Sequence, residues 1–407
     1  SMPCDLRKMA PNSWNGTSRV FKKARRLELC YHQAQTFCRC PAGEPSLRTG
    51  IIGFPRVGKT CLFRILTHAH LVEKPHAVGT QEAHVGVARV ADERLKKLAA
   101  MIKPKKFTYA TLEYVDVGGL AGGREKDSAY FNQIRNVEAL AHVVRLFRDE
   151  SIPHDPGKID ALRDAENVDL ELIISDLDVA TRRMERLARD LKKTKDPELE
   201  RELHLLERSK ATLEQGKPLR EMTFSEDDSR ILRGFMFLTE KPMVYVMNLG
   251  DEDAPEVDRV VEKYNLSKLQ AGPRTAVAAV CGKLESELAE LENAEAAELM
   301  AAYGLKESGL ERLIHATYSL LGLVSFLTYS EVECRAWTIR RGTNALKAAG
   351  AIHTDLERGF IKAEVVPWKD LAEWGSIAAA REHGRLRLEG KEYIVEDGDV
   401  IYFRHSG

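Results

Sequence analysis

A chain of 407 residues is too long for a single ordinary core, so we expect two or three domains. Its 61 Lys and Arg residues are balanced by 62 Asp and Glu residues, which excludes a global field that attracts polyanions and leaves only local contacts with nucleic acid. No stretch approaches the roughly 20 consecutive apolar residues that span a bilayer, and the seven scattered cysteines do not make a disulfide framework. We therefore expect a soluble, cytoplasmic protein with no membrane partner.

The first 48 residues have no sustained hydrophobic period, and they carry nine Lys and Arg residues against three Asp and Glu residues. A weakly ordered, solvated extension is the simpler interpretation. A basic arm that contacts RNA is the alternative.

From residue 49 the pattern changes to short apolar strands that alternate with helical stretches. This alternation predicts an α/β domain with a parallel, doubly wound sheet, which we assign to residues 49–164 and 235–323. The candidate strands cover residues 50–52, 111–117, 139–147 and 243–247, and an amphipathic helix covers 61–67.

The first strand runs into Gly53-Phe54-Pro55-Arg56-Val57-Gly58-Lys59-Thr60, which satisfies G-x-x-x-x-G-K-[ST] between a strand and a helix. Glycines let backbone N–H groups face phosphate oxygens, and the helix N-terminus adds a positive field. Lys59 is predicted to contact the β- and γ-phosphates and the Thr60 hydroxyl to bind Mg²⁺. The predicted phosphate site therefore consists of Gly53, Pro55, Arg56, Val57, Gly58, Lys59, Thr60 and Cys61.

The second strand ends in Asp116-Val117-Gly118-Gly119. Alone, a D-x-x-G tetrad also makes ordinary turns, but beside a phosphate loop it predicts a second magnesium element. Asp116 would hold Mg²⁺ through water, and the Gly119 N–H would sense the γ-phosphate.

Residues 165–234 have a heptad spacing of apolar residues, which predicts two antiparallel helices of three to five turns each. Their dense charge favours a projecting arm, and a helical pair packed on the sheet is the alternative. The first helix places Ile173, Leu177, Ala180, Met184, Leu187 and Leu191 on this seam, and after the break at residues 195–197 the second places Leu199, Leu203, Leu206 and Leu213 there.

After residue 323 the composition changes to that of a small α+β module, assigned to residues 324–407. Its candidate strands cover residues 337–339, 360–365, 393–395 and 400–403.

Together, residues 53–63, 113–120, 335–342 and the heptad hairpin resemble the YchF/Obg-like ATPase family, from about residue 49 to residue 405. The segments 348–355, 359–364, 384–391 and 397–400 look like the signature of a TGS domain. The resemblance implies a P-loop G domain with an inserted antiparallel coiled-coil hairpin and a C-terminal β-grasp TGS domain. It also implies association with ribosomes or ribosomal RNA, and hydrolysis that favours ATP.

The chain departs from the family pattern at three points. The switch segment after Asp116 is shorter by several residues. In the first switch, Ala83-His84 replaces Pro-Asn, although Thr80 keeps the position of the Mg²⁺-sensing threonine. The base-reading Asn-x-x-Glu appears as Asn248-Leu249-Gly250-Asp251.

The last departure affects the choice of base. Guanine-specific relatives cover the base with a lysine, which Leu249 removes, so strict use of GTP is disfavoured. Asp251 could accept hydrogen bonds from guanine N1 and N2, or it could cap the next helix. By resemblance, Cys281 and Gly282 close the base pocket with backbone groups. We expect ATP to be favoured, and a GTP-specific translation-associated GTPase is the alternative.

Ras-like enzymes orient the attacking water with a glutamine, but Leu120 occupies this position here. Hydrolysis should therefore be slow and depend on Lys59, the metal and another group. His154 matches a family histidine and is one candidate, and a solvated loop histidine is the alternative. A molecular switch that hydrolyses ATP is the leading hypothesis. A nucleotide-binding interaction protein with little hydrolysis is the competing class.

Overall fold

The computed structural model describes residues 47–67, 84–117, 130–154 and 158–406. The strands are β1 Arg48–Ile52, β2 His84–Val90, β3 Lys106–Thr108, β4 Ala110–Asp116, β5 Ala139–Arg145, β6 Met243–Asn248, β7 Thr275–Val280, β8 Leu323–Thr328, β9 Glu333–Arg340, β10 Phe360–Pro367, β11 Arg387–Glu389 and β12 Asp399–His405. The helices are α1 Lys59–Thr67, α2 Glu93–Ile102, α3 Ala161–Asp190, α4 Pro197–Glu214, α5 Glu226–Leu232, α6 Val260–Lys263, α7 Ser267–Ala271, α8 Gly282–Glu290, α9 Asn293–Ala302, α10 Gly309–Leu320, α11 Ala345–Ile352, α12 Thr354–Arg358, α13 Trp368–Trp374 and α14 Ile377–Glu382. Short 3₁₀ helices cover Leu219–Glu221 and Asp251–Arg259. None of the described helices is both long and apolar enough to cross a membrane.

The central sheet has the strand order β2-β4-β1-β5-β6-β7. The strands from β4 to β7 in this order pair in parallel, but β2 pairs antiparallel with β4. The prediction of a wholly parallel sheet is therefore wrong at this edge, because residues 84–90 were not identified as a strand. An antiparallel edge strand on a parallel sheet is common.

Helices cover both faces of the central sheet, so its middle strands are apolar throughout rather than alternating. Every residue of β5 and of β6 is buried. The carboxyl ends of parallel strands meet at one edge of such a sheet, which is where ligands bind in this class of fold.

The heptad segment forms the predicted antiparallel hairpin of α3 and α4. At 30 residues, α3 is longer than expected, because its first turns belong to the α/β core: Ala165 and Val168 are buried there. Farther out, the seam residues pack in a separate core, which includes Ala180 and Leu206. Asp196 caps α4 with a hydrogen bond to the Glu198 N–H, which fixes the turn between the helices.

The C-terminal sheet has the strand order β11-β10-β12-β8-β9-β3. Its last strand, β3, comes from the N-terminal half of the chain and pairs in parallel with β9. The apolar core is also continuous, since Leu95 and Leu98 of α2 belong to the same buried cluster as Val366 and Leu371.

The predicted strand at residues 393–395 is wrong. Ile394 makes only an isolated bridge to Asn344, while the Tyr393 hydroxyl donates to Asp399 Oδ2 at 2.8 Å. Side-chain and turn hydrogen bonds therefore hold this segment, and residues 387–389 form the strand instead.

Candidate nucleotide-binding site

The loop between β1 and α1 has the backbone that its glycines permit. Gly53 has φ 140° and Gly58 has φ 99°, values that side chains with a Cβ rarely adopt. A Cβ at Gly53 would also collide with the Val143 carbonyl, and a Cβ at Gly58 with the Asn248 amide. Between them, Arg56 is exposed at the loop tip with φ 63°. This turn brings successive backbone amides toward the N-terminus of α1, as an anion site requires.

Lys59 folds back into this loop. Its Nζ donates to the carbonyl oxygens of Gly53 at 3.0 Å and Phe54 at 2.6 Å, and the residue is 6% exposed. Burial lowers the pKa of the ammonium group to about 8, and the nearby Asp116 carboxylate opposes this shift. The cation is thus held beside the phosphate loop by neutral acceptors that phosphate oxygens can replace.

Two of the predicted magnesium ligands lie side by side. Thr60, in the first turn of α1, donates from Oγ1 to Oδ2 of Asp116 at 2.9 Å, at the end of β4. A hydroxyl and a carboxylate are hard oxygen donors, which suit Mg²⁺, so the residues present fit the implied ion. Thr80, Gly119 and Leu120 lie outside the described residues.

Asn248 connects the phosphate loop to the predicted base loop. Its Nδ2 donates to the Val57 carbonyl at 2.9 Å, and its Oδ1 accepts from the Gly282 N–H at 3.1 Å. The strand β7, which sequence patterns did not reveal, pairs with β6 and places Cys281 and Gly282 there. Leu249 is 3% exposed and packs into the core. The contact of Leu249 with the nucleotide stays a prediction.

Asp251 does not cap the helix that follows, since Gly250 occupies the cap position without a side-chain hydrogen bond. Its carboxylate instead accepts from Lys283 Nζ and from Cys281 Sγ at 3.4 Å. Sequence reasoning missed Lys283, although it directly follows the predicted loop residues. The structure thus places the Lys283 ammonium group against the carboxylate that is predicted to read the base.

Cys61 contacts α8, the helix that follows the predicted base loop. It is exposed on α1, and its Sγ lies 3.7 Å from Ser286 Oγ of α8. This contact joins the helix after the phosphate loop to the helix after the base loop.

His154 is not a solvated loop residue. Its Nε2 lies 2.7 Å from Asp164 Oδ2 near the start of α3, and the two side chains are 6% and 3% exposed. Arg163 also donates to Asp164. The carboxylate occupies one ring nitrogen of His154 and fixes the orientation of the ring, and the catalytic role of His154 stays a prediction.

A second histidine, which sequence reasoning missed, lies beside the phosphate loop. His142 of β5 is 1% exposed, and burial lowers its pKa to about 4, which keeps the ring neutral. The ring packs on Tyr245 with centroids 5.8 Å apart, and the Tyr245 hydroxyl donates to Asp169 of α3 at 2.6 Å. In the sequence, His142 stands within an apolar run that indicates a buried strand, and nothing in that run predicts that His142 reaches α3 through Tyr245.

Known proteins share both parts of this architecture. A family model described as a 50S ribosome-binding GTPase matches residues 48–200, and the model YchF-GTPase_C, described as a protein of unknown function, matches residues 323–406. The ribosome-binding ATPase YchF of Bacillus subtilis (strain 168) is 40% identical over 365 residues, which cover 89% of this chain and 100% of that relative. The protein of the same name from Haemophilus influenzae is 39% identical over 366 residues, covering 88% of this chain and 99% of the relative.

The fold agrees with these matches. The solved structure of the Schizosaccharomyces pombe YchF GTPase superposes with a TM-score of 0.75 at 29% identity, covering 90% of this chain and 100% of that one. The resemblance inferred from the motifs is therefore confirmed, and this chain belongs to the YchF family of P-loop nucleotide hydrolases.

Proposed function

We propose that this chain is a Mg²⁺-dependent ATPase that associates with ribosomes and acts as a molecular switch. The observation that carries the proposal is the intact phosphate loop, in which buried Lys59 lies beside the Thr60–Asp116 pair. Full-length similarity to relatives named ribosome-binding ATPases supports the choice of nucleotide and partner.

Triphosphate binding would exchange contacts that the described residues already make. Lys59 would leave the carbonyls of Gly53 and Phe54 for phosphate oxygens, so that its ammonium group exchanges neutral acceptors for anionic ones. Mg²⁺, when bound, would supply positive charge that offsets the charge of the phosphates. Thr60 and Asp116 would hold the ion, so the hydrogen bond that now joins them would be replaced.

This exchange supplies the proposed switch. Asp116 is the last residue of β4, and the segment with Gly119 follows it directly. A change at the Asp116 carboxylate is therefore passed to the segment that the family resemblance assigns to sensing the γ-phosphate. Thr80 would complete the same response from the first switch.

The base site supports a preference for ATP. Guanine would bind Asp251 through N1 and N2 in competition with Lys283 and Cys281, each of which already donates to one of the two carboxylate oxygens. Adenine does not offer this pair of donors, and it requires no such exchange. Because the Lys283 side chain is 72% exposed, the ion pair is weak, and GTP use is the second candidate.

Hydrolysis is expected to be slow without a partner. Lys59 and the metal stabilise developing charge, but Leu120 replaces the glutamine that orients the attacking water in Ras-like enzymes. We expect single-turnover ATP hydrolysis to accelerate when ribosomes are added. Tight ATP binding without hydrolysis, with or without ribosomes, would instead identify a nucleotide-dependent interaction protein.

The central claim is tested by Lys59→Ala, which should abolish tight ATP binding because it removes the buried cation of the loop, and Arg56 at the loop tip is exposed. Lys217→Ala removes an exposed lysine at the hairpin base and serves as the control. Unchanged ATP affinity in folded Lys59→Ala protein would contradict the proposed site. Thr60→Ala should mainly weaken the Mg²⁺ dependence of binding.

A further inference from the structure

The outside of α3 carries a line of basic residues. Arg182, Arg186 and Arg189 follow one another at spacings of four and three, which places them on one helical face. Lys193 lies four residues farther on, and its N–H donates to the Asp190 carbonyl, so the helical rotation continues into the turn. All four residues are exposed. We call Arg186, Arg189 and Lys193 the basic stripe.

The charges of the basic stripe are not neutralised by carboxylates. Arg182 pairs with Asp178 at 2.7 Å, but the stripe residues form no ion pair within the described part of the chain. Arg189 makes only a hydrogen bond to a backbone carbonyl. Several other cations on the hairpin are paired, namely Arg183 with Glu202, Arg201 with Asp227 and Asp228, and Lys210 with Glu214. Lys192 and Lys195, in the turn beside the stripe, are exposed like the stripe residues.

A purely structural role does not account for the stripe. Cations in the last turn of a helix are stabilised by its dipole, and this explains Arg189 and Lys193. The effect fades beyond the last turn, so it does not extend to Arg186. No large apolar side chain between residues 175 and 235 is exposed. The hairpin tip therefore lacks the apolar anchors of a typical protein interface or of membrane insertion.

The spacing of the stripe fits a phosphate backbone. Seven residues of helix separate Arg186 from Lys193, a rise of about 10 Å. Double-stranded DNA has one phosphate per about 3.4 Å of axis on each strand, so this rise corresponds to about three phosphate steps along one strand. Arginine, which supplies two of the three cations, binds phosphate through paired N–H groups.

We propose that the basic stripe binds the phosphate backbone of RNA, and that through it the hairpin contacts ribosomal RNA. The second part rests on the proposed association with ribosomes. Because the contact is to phosphates, it should depend on salt and not on base sequence.

The test compares two full-length triple variants with the parent. Arg186→Gln/Arg189→Gln/Lys193→Gln removes the stripe, and Lys217→Gln/Arg230→Gln/Arg259→Gln removes the same charge from exposed positions elsewhere. Binding to a short RNA duplex, to a single-stranded RNA and to purified ribosomes is measured over a range of KCl concentrations. ATP affinity and Tm verify that both variants are folded and retain the nucleotide site.

We expect the stripe variant to bind RNA duplex and ribosomes at least about tenfold more weakly at low salt, with the slope of log K against log salt reduced by about two to three. The control variant should match the parent. Equal binding by both variants and the parent would overturn the proposal. Loss of ribosome binding in the stripe variant, when the parent binds neither RNA, would also overturn it and identify an acidic protein as the partner. If the parent binds RNA through the basic stripe but does not bind ribosomes, the result supports RNA binding by the stripe and contradicts the proposed association with ribosomes.

Discussion

Lys59 carries its ammonium group into a loop from which water is largely excluded, and two backbone carbonyls receive it. Neutral acceptors compensate only part of the cost of burying a charge, which is why its pKa falls to about 8. An anion at the same place favours the protonated form and raises the pKa again. Nucleotide binding and proton uptake are therefore linked at this residue.

This linkage predicts a pH dependence of ATP affinity. Below about pH 8 the free protein already has a charged Lys59, and affinity should be flat. Above that pH, binding must take up a proton, so affinity should fall by up to about tenfold per pH unit. Titrations from about pH 7 to 9.5 measure the effect. Lys59→Arg, whose guanidinium stays charged throughout, should lose the dependence, and a flat parental profile would contradict the linkage.

Asp251 and Lys283 give a second prediction at the residue scale. Lys283→Ala should raise GTP affinity relative to ATP by up to about fivefold, because an exposed ion pair is worth about 0.2 to 1 kcal/mol. Asp251→Ala in the Lys283→Ala background should remove that gain. Competition titrations with both nucleotides supply the measurement. A strong parental preference for GTP would mean that Asp251 already reads guanine.

At the scale of secondary-structure elements, the hairpin of α3 and α4 depends on two cores. Its base shares the core of the central sheet through Ala165 and Val168, whereas its distal part is held by its own seam, with Ala180, Leu187 and Leu206 buried. Local opening of the distal part would therefore leave the sheet intact.

Leu206→Ala tests this division. The residue is fully buried, so removing its side chain should destabilise the distal hairpin by about 2 to 5 kcal/mol. Hydrogen exchange should accelerate in the distal parts of α3 and α4, while ATP affinity stays within about twofold. Met184→Leu, at a partly buried seam position, is the volume-conserving control. A collapse of ATP binding in a folded Leu206→Ala protein would show that the distal hairpin belongs to the nucleotide domain.

At the scale of the whole molecule, the C-terminal module does not stand apart from the nucleotide domain. Strand β3 extends the C-terminal sheet, and Leu95 of α2 shares a buried cluster with Val400 of β12. Arg94 and Asp397 add an ion pair of 2.7 Å at the surface of this junction. Apolar contact therefore joins the two parts, with the ion pair as a minor addition.

Truncation after residue 322 should consequently expose apolar surface on α2 and remove the partner of β3. We expect the shortened protein to aggregate or to melt well below the parent, as measured by calorimetry and light scattering. Arg94→Ala removes this partly exposed pair together with the contact of Arg94 to Asp92 at 2.9 Å, and it should cost only about 1 to 2 kcal/mol. A truncated protein with the parental Tm would refute the shared core.

The sequence by itself determined the parts whose cause is local. Eight consecutive residues specify the phosphate loop, because its glycines, Lys59 and Thr60 act within one strand-turn-helix unit. The heptad period predicted both helices of the hairpin in the same way, because side chains three and four residues apart share one helical face.

Only the tertiary structure decided which distant residues meet. Asp251 is separated from Lys283 by 32 residues, β3 joins a sheet formed more than 200 residues later, and His142 reaches the hairpin through Tyr245. The hydrophobic period of a helix or strand indicates which of its faces is buried, but it does not indicate which other element packs against that face. These contacts depend on strand order and on the packing of whole elements against each other. The same long-range packing buries Leu249 in the core and places His154 beside Asp164.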